Sequence, residues 1–230
     1  MQIIPAIIPR SFHDLEKHIE EVKDFAEIVQ IDIVDGKYAP NKSWPYTVLD
    51  DPDFGNLKSG ENKLPFWQDI QFEIDLMVEK PENVWKDWIR AGAFRIIVHL
   101  ESTSKLQEII EDFRKEKVSQ NSFLYSQIGV AIGASTPVEE IYPHLESIDF
   151  VQCMGNANIG KHGQFFDEEV LEKIKNIKLR DTGKPIGVDI GMNEKTIPLV
   201  KQAGATRVAV GSALFESTNI KETYKRLSDL

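Results

Sequence analysis

Residues 28–41 read Ile-Val-Gln-Ile-Asp-Ile-Val-Asp-Gly-Lys-Tyr-Ala-Pro-Asn, and the rest of the chain falls into place around them. Val29, Ile31 and Ile33 alternate with Gln30, Asp32 and Val34, the period of two that marks a strand. One face is aliphatic, while the other carries a carboxamide and a carboxylate. Asp35-Gly36 break the strand, and Pro40-Asn41 lead a loop away from it. A carboxylate near the C-terminal end of a core strand is costly unless it is paired, hydrogen-bonded or metal-bound. Asp32 is therefore either a structural buried acid or a group that does chemistry.

Outward from this stretch the chain alternates between period two and period 3.6. The pattern predicts strands over residues 3–8, 28–34, 72–78, 94–100, 127–132, 149–154, 185–190 and 207–210. Helices are predicted over 12–26, 81–90, 104–117, 138–146, 168–179, 194–203 and 220–227. Ser11 suits the N-cap of the first, whose Leu15, Ile19, Val22 and Ala26 recur at helical spacing. Pro81 fits a first helical turn and Gly92 a C-cap. Residues 36–60 are the longest irregular piece, rich in Pro, Asp, Asn and Gly, with Trp44-Pro45-Tyr46 expected to pack against the body. A short helix at 64–70 is expected to complete that unit. Eight strand–helix units imply a parallel sheet, and at this length a closed (β/α)8 TIM barrel forming one domain over residues 1–230. A doubly wound open sheet would carry a glycine-rich loop after its first strand, and Ile8-Pro9-Arg10-Ser11 is no such loop.

Composition narrows the function. The 230 residues are 41% hydrophobic, enough for a large core, and carry a net charge of −10, which argues against non-specific binding to nucleic acid or to an anionic membrane. Cys153 is the only cysteine, which excludes an internal disulfide and a cysteine metal cluster and fits a reducing compartment. The apolar run at residues 3–8 has no basic leader and is far too short to span a bilayer, so a cytoplasmic location is expected.

In such barrels the reactive groups stand at the C-terminal strand ends. Those ends carry Asp32, Asp35, Asp75, His99, Glu101 and Asp189. Gln30 and Asp32, two apart, both point into the barrel, where Asp75 and Asp189 can converge with them. Three carboxylates and an amide oxygen repel one another unless a cation neutralises them, and an all-oxygen set favours Mg²⁺ or Mn²⁺ over Zn²⁺. Alternatively, Asp75 and Gln30 simply hydrogen-bond to neighbours in the barrel mouth. His99 reads as a satisfied core histidine, and Met77 and Met154 as core-lining residues. Gly191 and the pair Gly211-Ser212 end strands seven and eight, where barrels bind phosphate on backbone N–H groups and on a short extra helix, here 212–215. The competing reading is that these glycines only turn the chain.

The chain resembles the ribulose-phosphate 3-epimerase family along almost its whole length. The residues that carry the likeness are Pro5-Ala6-Ile7-Ile8, Ile31-Asp32-Ile33-Val34-Asp35-Gly36 with Pro40-Asn41, and Asp75-Leu76-Met77-Val78 with Pro81-Glu82. Further pieces are Val98-His99-Leu100-Glu101, Met154 with Gly163-Gln164-Phe165, Val188-Asp189-Ile190-Gly191 and Gly211-Ser212-Ala213-Leu214-Phe215. The resemblance implies metal-dependent epimerisation at carbon 3, from D-ribulose 5-phosphate to D-xylulose 5-phosphate, by two carboxylates through an enediolate. It assigns the acid/base pair to Asp32 and Asp189, and the metal (Mg, Mn, Fe or Zn) to Gln30, Asp32, Asp75 and Asp189. Gly191, Gly211 and Ser212 match phosphate-binding positions, and Gly163, Met77 and Met154 join them as substrate-binding residues. The glycine-rich loop at 155–164 matches a mobile one that closes over the substrate. A homo-oligomer is implied by analogy.

The chain also departs from the family. Gln30 and Asp75 stand where the family has histidine ligands, Ala6 where it has serine, Val34 where it has methionine, and Ile190 where it has glycine. The loss of both imidazoles motivates an alternative: a sugar-phosphate-binding barrel, non-catalytic or of altered specificity, that has lost the usual metal site. A decarboxylase or Schiff-base aldolase fits less well. Lys80, Lys161 and Lys184 are not at strand ends, and Asp75-Leu-Met-Val-Glu-Lys80 is not the Asp-x-Lys-x-x-Asp run of the related decarboxylases.

Overall fold

In the computed structural model, which describes residues 1–119, 125–161 and 163–230, eight parallel strands close into a barrel in chain order. They are β1 (Gln2–Ile7), β2 (Ile28–Val34), β3 (Gln71–Met77), β4 (Arg95–His99), β5 (Gln127–Ile132), β6 (Phe150–Met154), β7 (Ile186–Asp189) and β8 (Arg207–Val210). Around them lie α1 (Phe12–Val22), α2 (Pro52–Ser59), α3 (Trp85–Ala91), α4 (Leu106–Ser119), a 3₁₀ segment (Val138–Ser147), α5 (Val170–Arg180), α6 (Thr196–Ala203), α7 (Ser212–Phe215) and α8 (Ile220–Ser228).

All seven residues of β2 are buried, because its aliphatic face meets the helical layer and its polar face meets the barrel axis. The main apolar core therefore lies between strands and helices, where Val29, Ile31 and Ile33 pack with Leu15, Ile19 and Val22 of α1. Ser11 caps α1 as its position implies, its hydroxyl accepting from the Asp14 backbone N–H at 3.1 Å. Inside the barrel a small apolar set, Ile97, Ala131, Phe150 and Met154, separates the two ends. Gly129 makes room for it: a Cβ there would lie 2.3 Å from the Phe150 ring. The register sets Asp32 opposite Asp75 and Met154 opposite Asp189.

Three expected elements differ. The helix predicted over 81–90 is divided: Pro81–Asn83 form a 3₁₀ turn, and α3 begins at Trp85 after Val84 at φ −129°. Residues 64–70 form turns rather than a helix; the helix of that unit is α2, inside the irregular stretch. Its signals are local: the Asp51 carboxylate accepts from the Phe54 N–H at 3.0 Å, Pro52 occupies the first turn, and Gly60 closes it at φ +79°. The stretch packs as expected, with the buried Trp44 ring 5.4 Å from Phe12, 5.8 Å from Phe54 and 5.9 Å from Trp88. Residues 138–146 are 3₁₀ rather than α-helical. Pro143 falls inside the segment, where its ring and missing N–H oppose an α-helical ladder.

Candidate active site

Neighbouring strands β2 and β3 deliver Asp32 and Asp75 side by side, and β7 brings Asp189 to them. All three are buried, and one oxygen from each lies within 4.8 Å of the others. Burial, then the charges of Asp189 and Asp75, hold the Asp32 carboxyl well above the usual range, against the opposing hydrogen bond from Gln30. The Asp189 carboxyl is pushed up to about 7 by burial and by Asp75, opposed by donors from Gln30 and from the Ile190 backbone N–H at 2.7 Å.

Gln30, expected as an oxygen ligand, presents its nitrogen to the acids. Its Nε2 donates to Asp32 Oδ1 at 2.8 Å and to Asp189 Oδ2 at 3.0 Å. Asp75 is held from both sides, by His99 Nε2 at 2.9 Å from Oδ1 and by Gln152 Nε2 donating to Oδ2 at 3.3 Å. His99 is a core histidine in contact with the acids. Burial works against its imidazolium but Asp75 outweighs burial, so its pKa is raised, and its Nδ1 has no partner among the described residues. Two other strand-end acids serve the scaffold. Asp35 accepts from the backbone N–H groups of Lys37, Tyr38 and Glu79, and Glu101 accepts from the Tyr38 hydroxyl, the Gly133 N–H and the Thr136 hydroxyl.

Above the acids opens a cavity of about 430 Å³. Asp32 and Asp189 line its floor together with Met77 and Met154, and Gly163, Gly191, Gly211 and Ser212 also line it. Gln30 and Asp75 are not among its lining residues. The loop after β6 crosses the mouth, where Asn41 Nδ2 donates to the Gly160 carbonyl at 3.3 Å; His162 of that loop lies outside the described residues. Ile190 adopts φ +79°, a conformation rare for a β-branched residue, which glycine takes without strain. It packs, as Ile159 does, against the buried set that includes Met154. Gly191 follows at φ +76°, and a Cβ there would lie 2.6 Å from the Phe166 backbone nitrogen.

Gln152 was not among the residues expected at the site. Its signal was available: it precedes Met154 by two on β6, as Gln30 precedes Asp32 on β2, and both spacings turn a polar side chain inward. Lys161, on the loop, also lines the cavity.

A model of the ribulose-phosphate 3 epimerase family matches residues 2–215. The chain is 29% identical over 233 residues to the ribulose-phosphate 3-epimerase of Bacillus subtilis (strain 168), covering 99% of this chain and 98% of that protein. It is 28% identical over 227 residues to the enzyme of the same name from Schizosaccharomyces pombe, covering 98% and 92%. Among solved structures, a 3-hexulose-6-phosphate synthase from Salmonella typhimurium superposes with a TM-score of 0.70 at 14% identity over 100% of this chain and 97% of that one. The decarboxylase KGPDC from Streptococcus mutans, in complex with D-R5P, gives 0.70 at 15% over 99% and 95%. These structures share the barrel, whereas the sequence likeness extends through the acid-bearing strands and the glycine turns: the chain belongs to the ribulose-phosphate 3-epimerase family.

Proposed function

We propose that this single-domain barrel is a metal-dependent epimerase that interconverts D-ribulose 5-phosphate and D-xylulose 5-phosphate. The observation that carries the reading is the joint placement of Asp32 and Asp189 on the floor of one cavity, beneath the glycine turns at 191 and 211. The donor set suits a hard divalent cation: three buried carboxylates with oxygens within 4.8 Å repel one another until a positive charge answers them. Asp32, Asp75 and Asp189 would hold the ion, with Mg²⁺ or Mn²⁺ favoured by all-oxygen ligation. When bound, it supplies Lewis-acid stabilisation of the enediolate.

The chain's own groups then move the protons. One of the pair Asp32/Asp189, ionised, takes the C3 proton from one face, and the C3–H electrons pass into the C2 carbonyl to give the enediolate. The other, protonated, returns a proton to C3 from the opposite face as the carbonyl reforms. The pair ends with its protonation exchanged and resets through solvent. Carboxyls lifted toward neutrality match this task, because one must be ionised while its neighbour holds a proton. The Gly191, Gly211 and Ser212 turns would seat the phosphate on backbone N–H groups, with Met77, Met154 and Gly163 against the sugar chain.

One observation favours a second reading, a sugar-phosphate-binding barrel without catalytic metal: Gln30 presents N–H groups rather than its oxygen to the acids. Deuterium incorporation from solvent at C3 of ribulose 5-phosphate, assayed with Mg²⁺, Mn²⁺, Fe²⁺ and Zn²⁺ in turn, tests the first reading. Exchange with at least one metal is expected, and its absence with all four rejects the epimerase. Elemental analysis of the purified protein separates the two readings through stoichiometric metal. No helix among the described residues is long and apolar enough to cross a membrane. A cytoplasmic location and a homo-oligomer are part of the proposal, the second checked by sedimentation.

A further inference from the structure

The two buried amides inside the barrel form a directional bridge. Gln152 Nε2 lies 3.3 Å from Gln30 Oε1 and 3.3 Å from Asp75 Oδ2, so both its N–H groups have oxygen acceptors. Gln30 Nε2 in turn has the oxygens of Asp32 and Asp189 as its two acceptors. Every amide N–H in this bridge points at an oxygen. Turning the Gln30 amide over would set its oxygen against two carboxylates and its N–H groups against the N–H of Gln152. Both glutamines are at most 1% exposed, so bulk solvent does not reach them to relieve that mismatch.

We infer that Gln152 is a positioning residue: it fixes Gln30 as a donor, holds Asp75, and so leaves the cation to the three carboxylates alone. A bound ion faces oxygens whose orientations are set by hydrogen bonds that run from β6 through β2 and β3 to β7. Replacement of such outer partners typically weakens metal affinity about 10–100-fold. The inference rests on the metal-dependent reading above, but it concerns ion binding and is read independently of turnover.

The test is Mn²⁺ binding, by titration calorimetry and by the loss of the free-ion paramagnetic resonance signal, to the full chain and to Gln152→Met, Gln30→Met and the double variant. Methionine keeps the shape of glutamine and removes its donors; Gln152→Leu serves if Gln152→Met does not purify folded. The expected result is a thermal midpoint within a few degrees of the parent and a Mn²⁺ affinity at least tenfold weaker. The double variant should be no weaker than the worse single one, because one substitution already breaks the bridge. Unchanged Mn²⁺ affinity in Gln152→Met overturns the inference, as do losses that add fully in the double variant, or a parent that binds no Mn²⁺. Weakened Mn²⁺ binding in Gln152→Met beside a parent that shows no C3 exchange keeps the inference and rejects the epimerase reading. C3 exchange by the parent beside a Gln152→Met variant of unchanged affinity does the reverse.

Discussion

Two sets of buried ionisable groups sit inside the same barrel, one at each end, and the chain treats them in opposite ways. At the lower end Glu73, two residues before Asp75 on β3, is fully buried and paired on both oxygens by Arg207. Arg95 adds a second guanidinium at 3.3 Å and also donates to Gln127 at 2.6 Å, while Arg207 lies 4.3 Å over the Phe150 ring. Two permanent cations answer one carboxylate there. At the upper end three carboxylates face two amides and one imidazole. In the lower set both carboxylate oxygens are paired with permanent cations, and the set is scaffold. The upper carboxylates meet no permanent cation, and buried acids left without one are where a cation or a reacting proton has something to do.

Substitutions at the two ends should therefore have opposite signs on stability. The largest effect is expected from Asp189→Asn or Asp32→Asn. Loss of a general acid/base typically costs about 10²–10⁴-fold in rate, and C3 exchange should fall by that order. The same variants remove one of three repelling carboxylates, so their thermal midpoints should rise rather than fall. A fall in both would mean that the upper acids, like the lower one, are structural.

At the lower end, Glu73→Leu leaves Arg207 buried without its partner and should cost about 3–5 kcal/mol in urea unfolding, with the pair variant Glu73→Leu/Arg207→Met losing less than this single substitution. Equal losses for the single and the pair would show that the stranded Arg207 charge is not what costs stability.

A smaller, pH-dependent effect is expected at Glu101. Burial raises its carboxyl, but donors from Thr136 and the Gly133 N–H outweigh burial and hold it below the usual range. A depressed folded-state pKa contributes stability that is present above the unfolded value, about 4.3, and is lost as pH falls through the lower folded value. Glu101→Gln should thus be less stable than the parent at pH 7, and the gap should close as the pH falls through that window. A gap that is constant with pH would exclude an ionic contribution.

The smallest effect is expected at Ile190→Gly. The left-handed backbone costs an isoleucine about 1–2 kcal/mol that glycine does not incur, and the lost packing against the buried set that includes Met154 offsets that gain. Unfolding free energy should change by less than about 1 kcal/mol, and a larger loss would show that Ile190 acts chiefly as a packing residue.

The upper half of this contrast was legible in the sequence. The alternation in residues 28–34 placed Gln30 and Asp32 on one face, and the eightfold repeat placed Asp32, Asp75 and Asp189 at strand ends. Helix α2 was missed although Asp51, Pro52 and Gly60 all signal it, because Leu57 is its only fully buried residue and the apolar period is therefore weak. The lower pair was not foreseen either. Glu73 and Arg207 lie 134 positions apart, and no local pattern couples residues at that distance.

The sequence by itself determined the elements and the inward residues, because periodicity, caps and turns act over a few neighbouring positions. Tertiary structure alone decided the partnerships. It joined Gln152 to Gln30 across 122 residues and Asp189 to Gln30 across 159, and it turned a nitrogen rather than an oxygen toward the acids. Those choices depend on barrel closure and register, which set which buried donor meets which buried acceptor once water is excluded.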